Sequence, residues 1–255
     1  MRIVKLGGSS VTQKQRLETL NEDIIRICID QIAHSGIQND PLILVHGAGS
    51  FGHFHAKEAG LASSAASLVD CLSASRVRNS VAKLCLTLSD GFVAAGIPIA
   101  VIHPGNLVAL DATGEFDFSL LLAHVERFLE LGFVPLLHGD LVLANGQGRI
   151  LSGDLIMTEC ARRFLPQQVA FFTNVDGVLD ENAKLVQELS AKHEIATLAR
   201  ASGADVSGGM AGKVAAARSI RAMGNIEVYI LRAGSSSSLQ FLQNKPVSIG
   251  TRLLY

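Results

Sequence analysis

The sequence has no excess of charge of either sign, since 22 lysines and arginines face 23 aspartates and glutamates and the formal net charge is −1. A chain that binds nucleic acid or an anionic membrane through its overall charge needs a basic surface, and this composition provides none. No apolar run approaches the length of a membrane span, and residues 1–8 lack the long apolar stretch of a signal peptide. We therefore expect a cytoplasmic protein with no nucleic-acid or membrane partner.

Cysteine is scarce, and the side chains that hold metals are poorly spaced for that purpose. The four cysteines lie far apart without a CxxC pair, which predicts reduced core residues: Cys28, Cys71, Cys85 and Cys160. The histidines His103, His124 and His138 do not follow a metal-binding spacing such as HExxH, so no zinc site is expected.

Two common classes of nucleotide-binding protein are disfavoured. No GxxxxGK[ST] motif occurs, which argues against a P-loop NTPase. A Rossmann dehydrogenase carries its GxGxxG fingerprint after the first strand, and the first predicted strand here is not followed by one, although residues 47–52 after the second strand (GAGSFG) have that spacing.

What the 255 residues do contain is an alternation of short apolar strands with segments of helical periodicity. The predicted strands are 2–6, 42–45, 97–102, 133–137, 169–173 and 226–231, with a hairpin within 141–151 around Asn145-Gly146. The predicted helices are about 16–34, 68–95, 119–131, 152–164 (capped by Ser152) and 211–223. This order predicts a largely parallel sheet covered by helices on both faces, a three-layer α/β sandwich.

Three glycine clusters follow strands or open helices in this scheme. They are Lys5-Leu6-Gly7-Gly8-Ser9-Ser10, the segment HGAGSFGH at 46–53, and Ser207-Gly208-Gly209-Met210-Ala211-Gly212-Lys213. Glycine lets backbone N–H groups approach an anion, and α/β proteins bind ligands where parallel strands end. Any one cluster taken alone could be a simple turn. A lysine early in a helix is repelled by the positive end of the helix dipole, however. An anion bound between the lysine and the helix N-terminus would remove this repulsion. Together the clusters fit a reaction that involves several phosphates.

The chain also contains "SGD" at 152–154, "TNVDGV" at 173–178, "DVSGGMAGKV" at 205–214 and a final "GT" at 250–251. Together with the glycine clusters, these segments resemble the motifs of the amino acid kinase superfamily and occur in the same order along the chain. Within this superfamily, the ending "SFGH" and Lys14 resemble the isopentenyl phosphate kinases. The resemblance implies one amino acid kinase domain over 1–255, with the acceptor-phosphate lobe first and the nucleotide lobe from about residue 150. It also implies direct phosphoryl transfer from ATP with Mg2+, and a homodimer.

The resemblance assigns roles residue by residue. Lys5, Lys14 and Lys213 match lysines around the transferred phosphoryl group, His53 matches the histidine that holds the acceptor phosphate, and Asp154 matches the carboxylate that orients the lysines. The residues implied to bind ATP are Lys5, Gly7, Gly8, Ser9, Gly49, Asn174, Asp176, Gly209 and Lys213. Those implied to bind the acceptor are Ala48, Gly49, Gly52, His53 and Gly153.

Three residues depart from the family pattern. Ala48 stands where glycine is frequent, which requires a negative φ. Leu155 replaces a common second aspartate, and Asn174 replaces a frequent aspartate near the nucleotide. These changes bear on the metal environment and on nucleotide contacts, whereas the lysines and His53 are all present.

An isopentenyl tail has no hydrogen-bonding group, so its pocket must be apolar. The candidates after His53 are Ala56, Ala59, Leu61 and Ala62, followed by Val77, Val81, Leu84 and Leu88 at helical spacing, although any one of these could simply be core. We expect dimethylallyl phosphate to be accepted as well.

Other readings of the chain remain open. Asp111, Glu115 and Asp117 could pair as carboxylates but are better explained by a turn. His138-Gly139-Asp140 follows a predicted strand. These residues either support the side chains that contact the substrate or simply form the loop that ends the strand. The alternative functions are a fosfomycin-type phosphonate kinase of the same superfamily and a non-catalytic nucleotide-binding protein.

Overall fold

The computed structural model describes residues 1–61, 67–111, 113–144, 146–190 and 209–254. The strands are β1 Arg2–Leu6, β2 Leu42–His46, β3 Ser67–Leu68, β4 Ile99–Val101, β5 Ala109–Leu110, β6 Phe116–Asp117, β7 Val134–His138, β8 Asp140–Ala144, β9 Gln147–Leu151, β10 Gln168–Thr173, β11 Glu188–Leu189, β12 Glu227–Arg232 and β13 Thr251–Leu253. The helices are α1 Gly8–Val11, α2 Glu22–Ser35, α3 Gly49–Glu58, α4 Cys71–Ala94, α5 Ser119–Glu130, α6 Gly153–Phe164, α7 Gly209–Arg221 and α8 Ser236–Leu242.

The central sheet has eight strands in the order β11-β13-β12-β10-β1-β2-β7-β4. Every pairing from β12 to β4 is parallel, whereas β13 runs antiparallel to β12 and β11 runs parallel to β13. The strands β8 and β9 form the predicted hairpin, which β3 extends on one side. The largely parallel sheet that the sequence predicted is therefore confirmed, and β1 at its centre joins the two halves of the chain.

The alternation of side chains along the strands produces one apolar layer on each face of the sheet. Ile3 and Val45 pack with α5, α6 and α7 on one face. Val4 and Leu44 pack with α2, α3, α4 and α8 on the other. Because successive residues of a strand point to opposite faces, a strand buried on both sides must be apolar throughout, as β2 is. The predicted three-layer sandwich is confirmed.

Several predicted boundaries were wrong. The first helix was expected from about residue 16, but residues 13–19 form a loop whose ends meet in a bridge between Thr12 and Leu20, and α2 begins at Glu22. Leu17, which lies within the range predicted for that helix, is on this loop and is about half exposed. Helix α8 was not predicted. Ser152 does cap α6, because its Oγ accepts the N–H of Leu155 at 3.1 Å.

The cysteine prediction is only partly right. Cys28, Cys85 and Cys160 are buried, and burial raises the pKa of each thiol to about 12. Cys71 is exposed at the start of α4. Within the described ranges, no helix combines the length and hydropathy that crossing a bilayer would require.

Candidate active site

Two glycine-rich turns meet at the carboxyl ends of the neighbouring strands β1 and β2. A Cβ on Gly8 would lie 2.4 Å from the nitrogen of Gly49, and a Cβ on Gly47 would lie 2.5 Å from the nitrogen of Gly8. Gly49 also has φ +52, a conformation that favours glycine. The glycines are needed here because the two turns touch, which brings the N-terminal ends of α1 and α3 side by side. Helix N-termini present unpaired N–H groups to an anion.

The segment 46–53, for which no helix was predicted, is mostly helical. Helix α3 begins at Gly49, so His53 lies one turn into it. Ala48 has φ −68, which meets the condition set for a residue other than glycine at this position. A Cβ on Gly52 would lie 2.5 Å from Ala48 Cβ, so the alanine makes glycine necessary one turn later. The helical start places His53 and the N–H groups of the first turn on one rigid element.

Lys5 and Asp154 form a buried ion pair beneath these turns. The Lys5 ammonium donates to Asp154 Oδ1 in a very short contact, and both residues are almost fully buried. Asp154 lies in the first turn of α6, and a Cβ on Gly153 would come within 3.2 Å of Lys5 Cε. Glycine at 153 therefore leaves room for the lysine chain, and Asp154 fixes the direction of its ammonium. Leu155 is partly buried and packs against the apolar core.

Most of the predicted site residues line one cavity of about 330 Å³. From the sequence prediction these are Lys5, Gly8, Ser9, Lys14, Ala48, Gly49, Gly52, His53, Gly153, Asp154 and Lys213. The structure thus brings three lysines, two helix starts and one imidazole around a single space. Such an arrangement can bind several phosphate groups and reduce the repulsion between them.

Four predicted residues do not line this cavity: Gly7, Asn174, Asp176 and Gly209. Asn174 accepts the Ser9 hydroxyl at 3.2 Å, beside the start of α1. Asp176 pairs with Arg232 at 2.6 Å, and the hydrogen bond from this guanidinium holds the pKa of the Asp176 carboxyl below its usual range. Gly209 opens α7 with φ +50, and its carbonyl accepts from the Lys213 ammonium at 3.2 Å. The earlier part of that glycine motif, residues 205–208, lies outside the described residues.

One wall of the cavity is apolar. Ala56, Val77 and Val81, which were predicted to contact a hydrocarbon tail, line it together with Ile150 and Leu151. Three other residues predicted to contact the tail are buried in the protein core instead: Leu61, Leu84 and Leu88. Ala59 is partly buried and packs against the small apolar cluster that contains Leu61. Ala62 lies outside the described residues. Sequence reasoning missed Ile150 and Leu151, whose only signal was their position in the hairpin directly before Ser152.

Asp140, left open by the sequence, is buried and also lines the cavity. Its carboxylate accepts the N–H groups of Gly105 and Leu141, each at 2.8 Å, and lies 3.4 Å from Arg78 Nε. Asp111, by contrast, accepts the N–H groups of Thr113 and Glu115, the turn that had been expected. The described residues contain no group of three side chains able to hold a metal ion.

Three imidazoles form a row across the strand ends behind the cavity, which we call the histidine row: His46, His138 and His103. The rings of His46 and His138 are 5.3 Å apart, and His103 Nδ1 lies 2.9 Å from His138 Nε2. Burial lowers the pKa of His46 to about 3, and burial also lowers that of His138. Both rings are therefore neutral near pH 7.

Comparison with known proteins agrees with this geometry. The profile of the amino acid kinase family matches residues 1–232. An isopentenyl phosphate kinase of Methanothermobacter thermautotrophicus is 31% identical over 84% of each chain, and one of Haloferax volcanii is 35% identical over 83% of this chain and 85% of its own. A solved isopentenyl phosphate kinase superposes with a TM-score of 0.78 at 27% identity, covering 99% of each chain. The chain belongs to the amino acid kinase family.

Proposed function

We propose that this protein transfers the γ-phosphoryl group of ATP to the phosphate of isopentenyl phosphate, which gives isopentenyl diphosphate and ADP. The observation that carries the proposal is the two-part cavity, with lysines and helix N-termini at one side and the apolar wall of Ala56, Val77, Val81 and Ile150 at the other. A prenyl phosphate has the same two parts. The similarity to several isopentenyl phosphate kinases over most of the chain supports the same substrate.

The acceptor oxygen in this reaction is already anionic, so the enzyme needs no general base. The barrier comes from bringing two highly charged phosphates together, and catalysis consists of positioning and positive charge. Lys5, Lys14 and Lys213 supply that charge around the transferred group. Asp154 keeps the Lys5 ammonium in place, since the pair is buried. His53 donates a hydrogen bond to the acceptor phosphate and orients it for in-line attack.

The N-terminal turns of α1 and α3 hold the ATP phosphates through the N–H groups of Gly8, Ser9 and Gly49, and Gly7 gives this turn its shape. Asn174, Asp176 and Gly209 lie on the nucleotide side. Both cavity carboxylates are already engaged, Asp154 with Lys5 and Asp140 with N–H groups and Arg78. This donor set does not form a protein-held Mg2+ site. We propose that Mg2+ arrives on the ATP phosphates, where it keeps most of its water ligands.

The same proposal divides the domain into an acceptor lobe before about residue 150 and a nucleotide lobe after it. It also includes a homodimer, which the family resemblance implies. Exposed apolar side chains on α4, Leu86 and Val93, are consistent with a partner on that helix. Light scattering on the purified protein tests the dimer, and a monomer at every concentration would contradict it.

The decisive experiment measures ADP release with Mg-ATP and, in parallel, isopentenyl phosphate, dimethylallyl phosphate, geranyl phosphate, fosfomycin or no acceptor. We expect turnover with both five-carbon phosphates and weak turnover with geranyl phosphate. Turnover of fosfomycin alone would replace the proposed substrate with a phosphonate. ATP binding without turnover of any acceptor would favour a non-catalytic protein.

A further inference from the structure

Lys14, one of the three lysines that line the cavity, is carried by an exposed loop. Residues 13–19, which we call the Lys14 loop, are closed at the base by the Thr12–Leu20 bridge and by the N–H of Gln13 donating to Thr19 O at 2.9 Å. The residues from Gln13 to Leu17 are exposed, yet Lys14 lines the cavity. A loop exposed over this length needs contacts beyond its base to keep a side chain at one place.

Glu18 makes such contacts. One carboxylate oxygen lies 3.1 Å from His55 Nε2 on α3, and the other lies 3.2 Å from Lys83 Nζ on α4. Burial raises the pKa of the Glu18 carboxyl, but hydrogen bonds involving Ser80, His55 and Lys83 outweigh it and hold this pKa below its usual range. The group is therefore ionised near pH 7 and can pair with both partners.

The backbone at Glu18 is strained in order to make these contacts. Its φ is +46, in the left-handed region that residues other than Gly, Asn and Asp seldom adopt. Such a conformation persists where the surrounding contacts determine it. Here the surrounding contacts include the hydrogen bonds of Glu18 with His55 on α3 and Lys83 on α4.

The two helices that receive Glu18 also form the acceptor side of the cavity. His55 follows His53 by two residues on α3, and α4 presents Val77 and Val81. One carboxylate thus connects the Lys14 loop to the elements around the acceptor.

We propose that Glu18 is a positioning residue for phosphoryl transfer, which holds the Lys14 loop against α3 and α4 so that the Lys14 ammonium stays at the transferred phosphoryl group. This rests on the proposed function and on the role proposed for Lys14. The carboxylate does not touch the substrates and acts through the loop.

The first test is kinetic and uses Glu18→Gln, which keeps the size of the side chain and removes its charge. We expect kcat to fall by roughly ten- to a hundredfold with both KM values nearly unchanged, because a catalytic group loses its fixed position. In a Lys14→Ala background the same substitution should have almost no further effect, since the group it positions is gone. Lys83→Met, an exposed change on α4, should give a smaller loss in the same direction.

Glu58→Gln is the matched control. Glu58 Oε2 lies 3.4 Å from the Nδ1 of the same His55, but Glu58 belongs to α3 and does not reach the loop. This variant should keep wild-type kinetics. Equal losses from Glu18→Gln in the wild-type and Lys14→Ala backgrounds, or equal effects of Glu18→Gln and Glu58→Gln, would overturn the proposal.

The second test does not depend on activity. Trypsin cleaves after Lys14 and Arg16, so the rate of cleavage at these two bonds, followed by mass spectrometry on the native protein, reports how firmly the loop is held. We expect faster cleavage in Glu18→Gln than in wild type or Glu58→Gln at unchanged melting temperature, and equal rates would contradict the proposal. If the proposed function itself were wrong, the wild-type protein would show no prenyl phosphate turnover, whereas failure of the Glu18 proposal leaves that turnover intact.

Discussion

At the scale of single residues, His53 is the imidazole that α3 presents to the cavity. We expect His53→Ala to lower kcat/KM for isopentenyl phosphate by at least about tenfold, the loss of one charge-assisted hydrogen bond, while KM for ATP stays close to normal. Steady-state kinetics with each substrate varied in turn measures both effects. His124→Ala, which removes a partly exposed histidine on α5 that does not line the cavity, is the control and should match wild type. Wild-type kinetics for His53→Ala would remove His53 from the acceptor site.

The buried pair of Lys5 and Asp154 makes a different prediction at the same scale. Asp154→Asn leaves the Lys5 ammonium buried without its counter-charge, which should destabilise the protein by about 3 kcal/mol and abolish most turnover. Adding Lys5→Met should recover much of the stability but none of the activity. Chemical denaturation and kinetics on the three variants separate these effects. An Asp154→Asn protein as stable as wild type would show that the pair contributes little to folding.

At the scale of the elements, the contact between the two glycine turns decides how α1 and α3 sit. Gly49→Ala would place its Cβ 2.2 Å from Thr12 Oγ1, so the turns must separate. Gly60→Ala is the control, because Gly60 has φ +67 with no atom within 4 Å of the added Cβ. Both variants bear the backbone penalty of roughly 1 kcal/mol, but Gly49→Ala should lose more stability and raise KM for ATP. Identical unfolding curves and kinetics for the two variants would show that the turns tolerate separation.

Helix α4 contributes to both the cavity and the core, and the two uses can be separated. Val77→Ala enlarges the apolar wall, so we expect higher activity on geranyl phosphate with activity on isopentenyl phosphate retained. Leu84→Ala, two turns further along the helix and fully buried, should cost about 2–5 kcal/mol of stability and leave chain-length preference unchanged. The ratio of turnover on the two acceptors is the measurement. An unchanged ratio in Val77→Ala would place the tail elsewhere.

At the scale of the whole molecule, the histidine row predicts that acid destabilises the fold. In the unfolded chain His46 titrates near ~6.5, but its pKa in the fold is about 3 because it is buried. The unfolded state therefore binds more protons between these values, and stability present above pH 6.5 is lost as the pH falls toward 3. His46 alone should account for about 2 kcal/mol between pH 7 and pH 5.

Urea unfolding at the two pH values tests this in wild type and His46→Gln. The variant should lose less stability between pH 7 and pH 5 than wild type does, whereas His124→Gln, which changes a partly exposed ring outside the histidine row, should behave like wild type. The same pH dependence in all three proteins would show that His46 does not govern acid stability.

The sequence predicted the order of most elements correctly, because strand burial and helix periodicity are local patterns. It did not predict α3 as a helix from Gly49, since glycine ordinarily signals a turn and the reason for glycine here is contact with Gly8, far away in the chain. It also did not separate Val77 and Val81, which face the cavity, from Leu84 and Leu88, which are core, because all four share one helical stripe.

By itself, then, the sequence determined the layered sheet and the family, since both depend on residue types at fixed local spacings. Only the tertiary structure decided which residues share the cavity. Ile150 of the hairpin and Asp140 line it, whereas Asp176 lies outside it and pairs with Arg232. It alone also shows Glu18 bridging the Lys14 loop to His55 and Lys83. These contacts join residues tens of positions apart, and the packing of the helices on the sheet sets their distances.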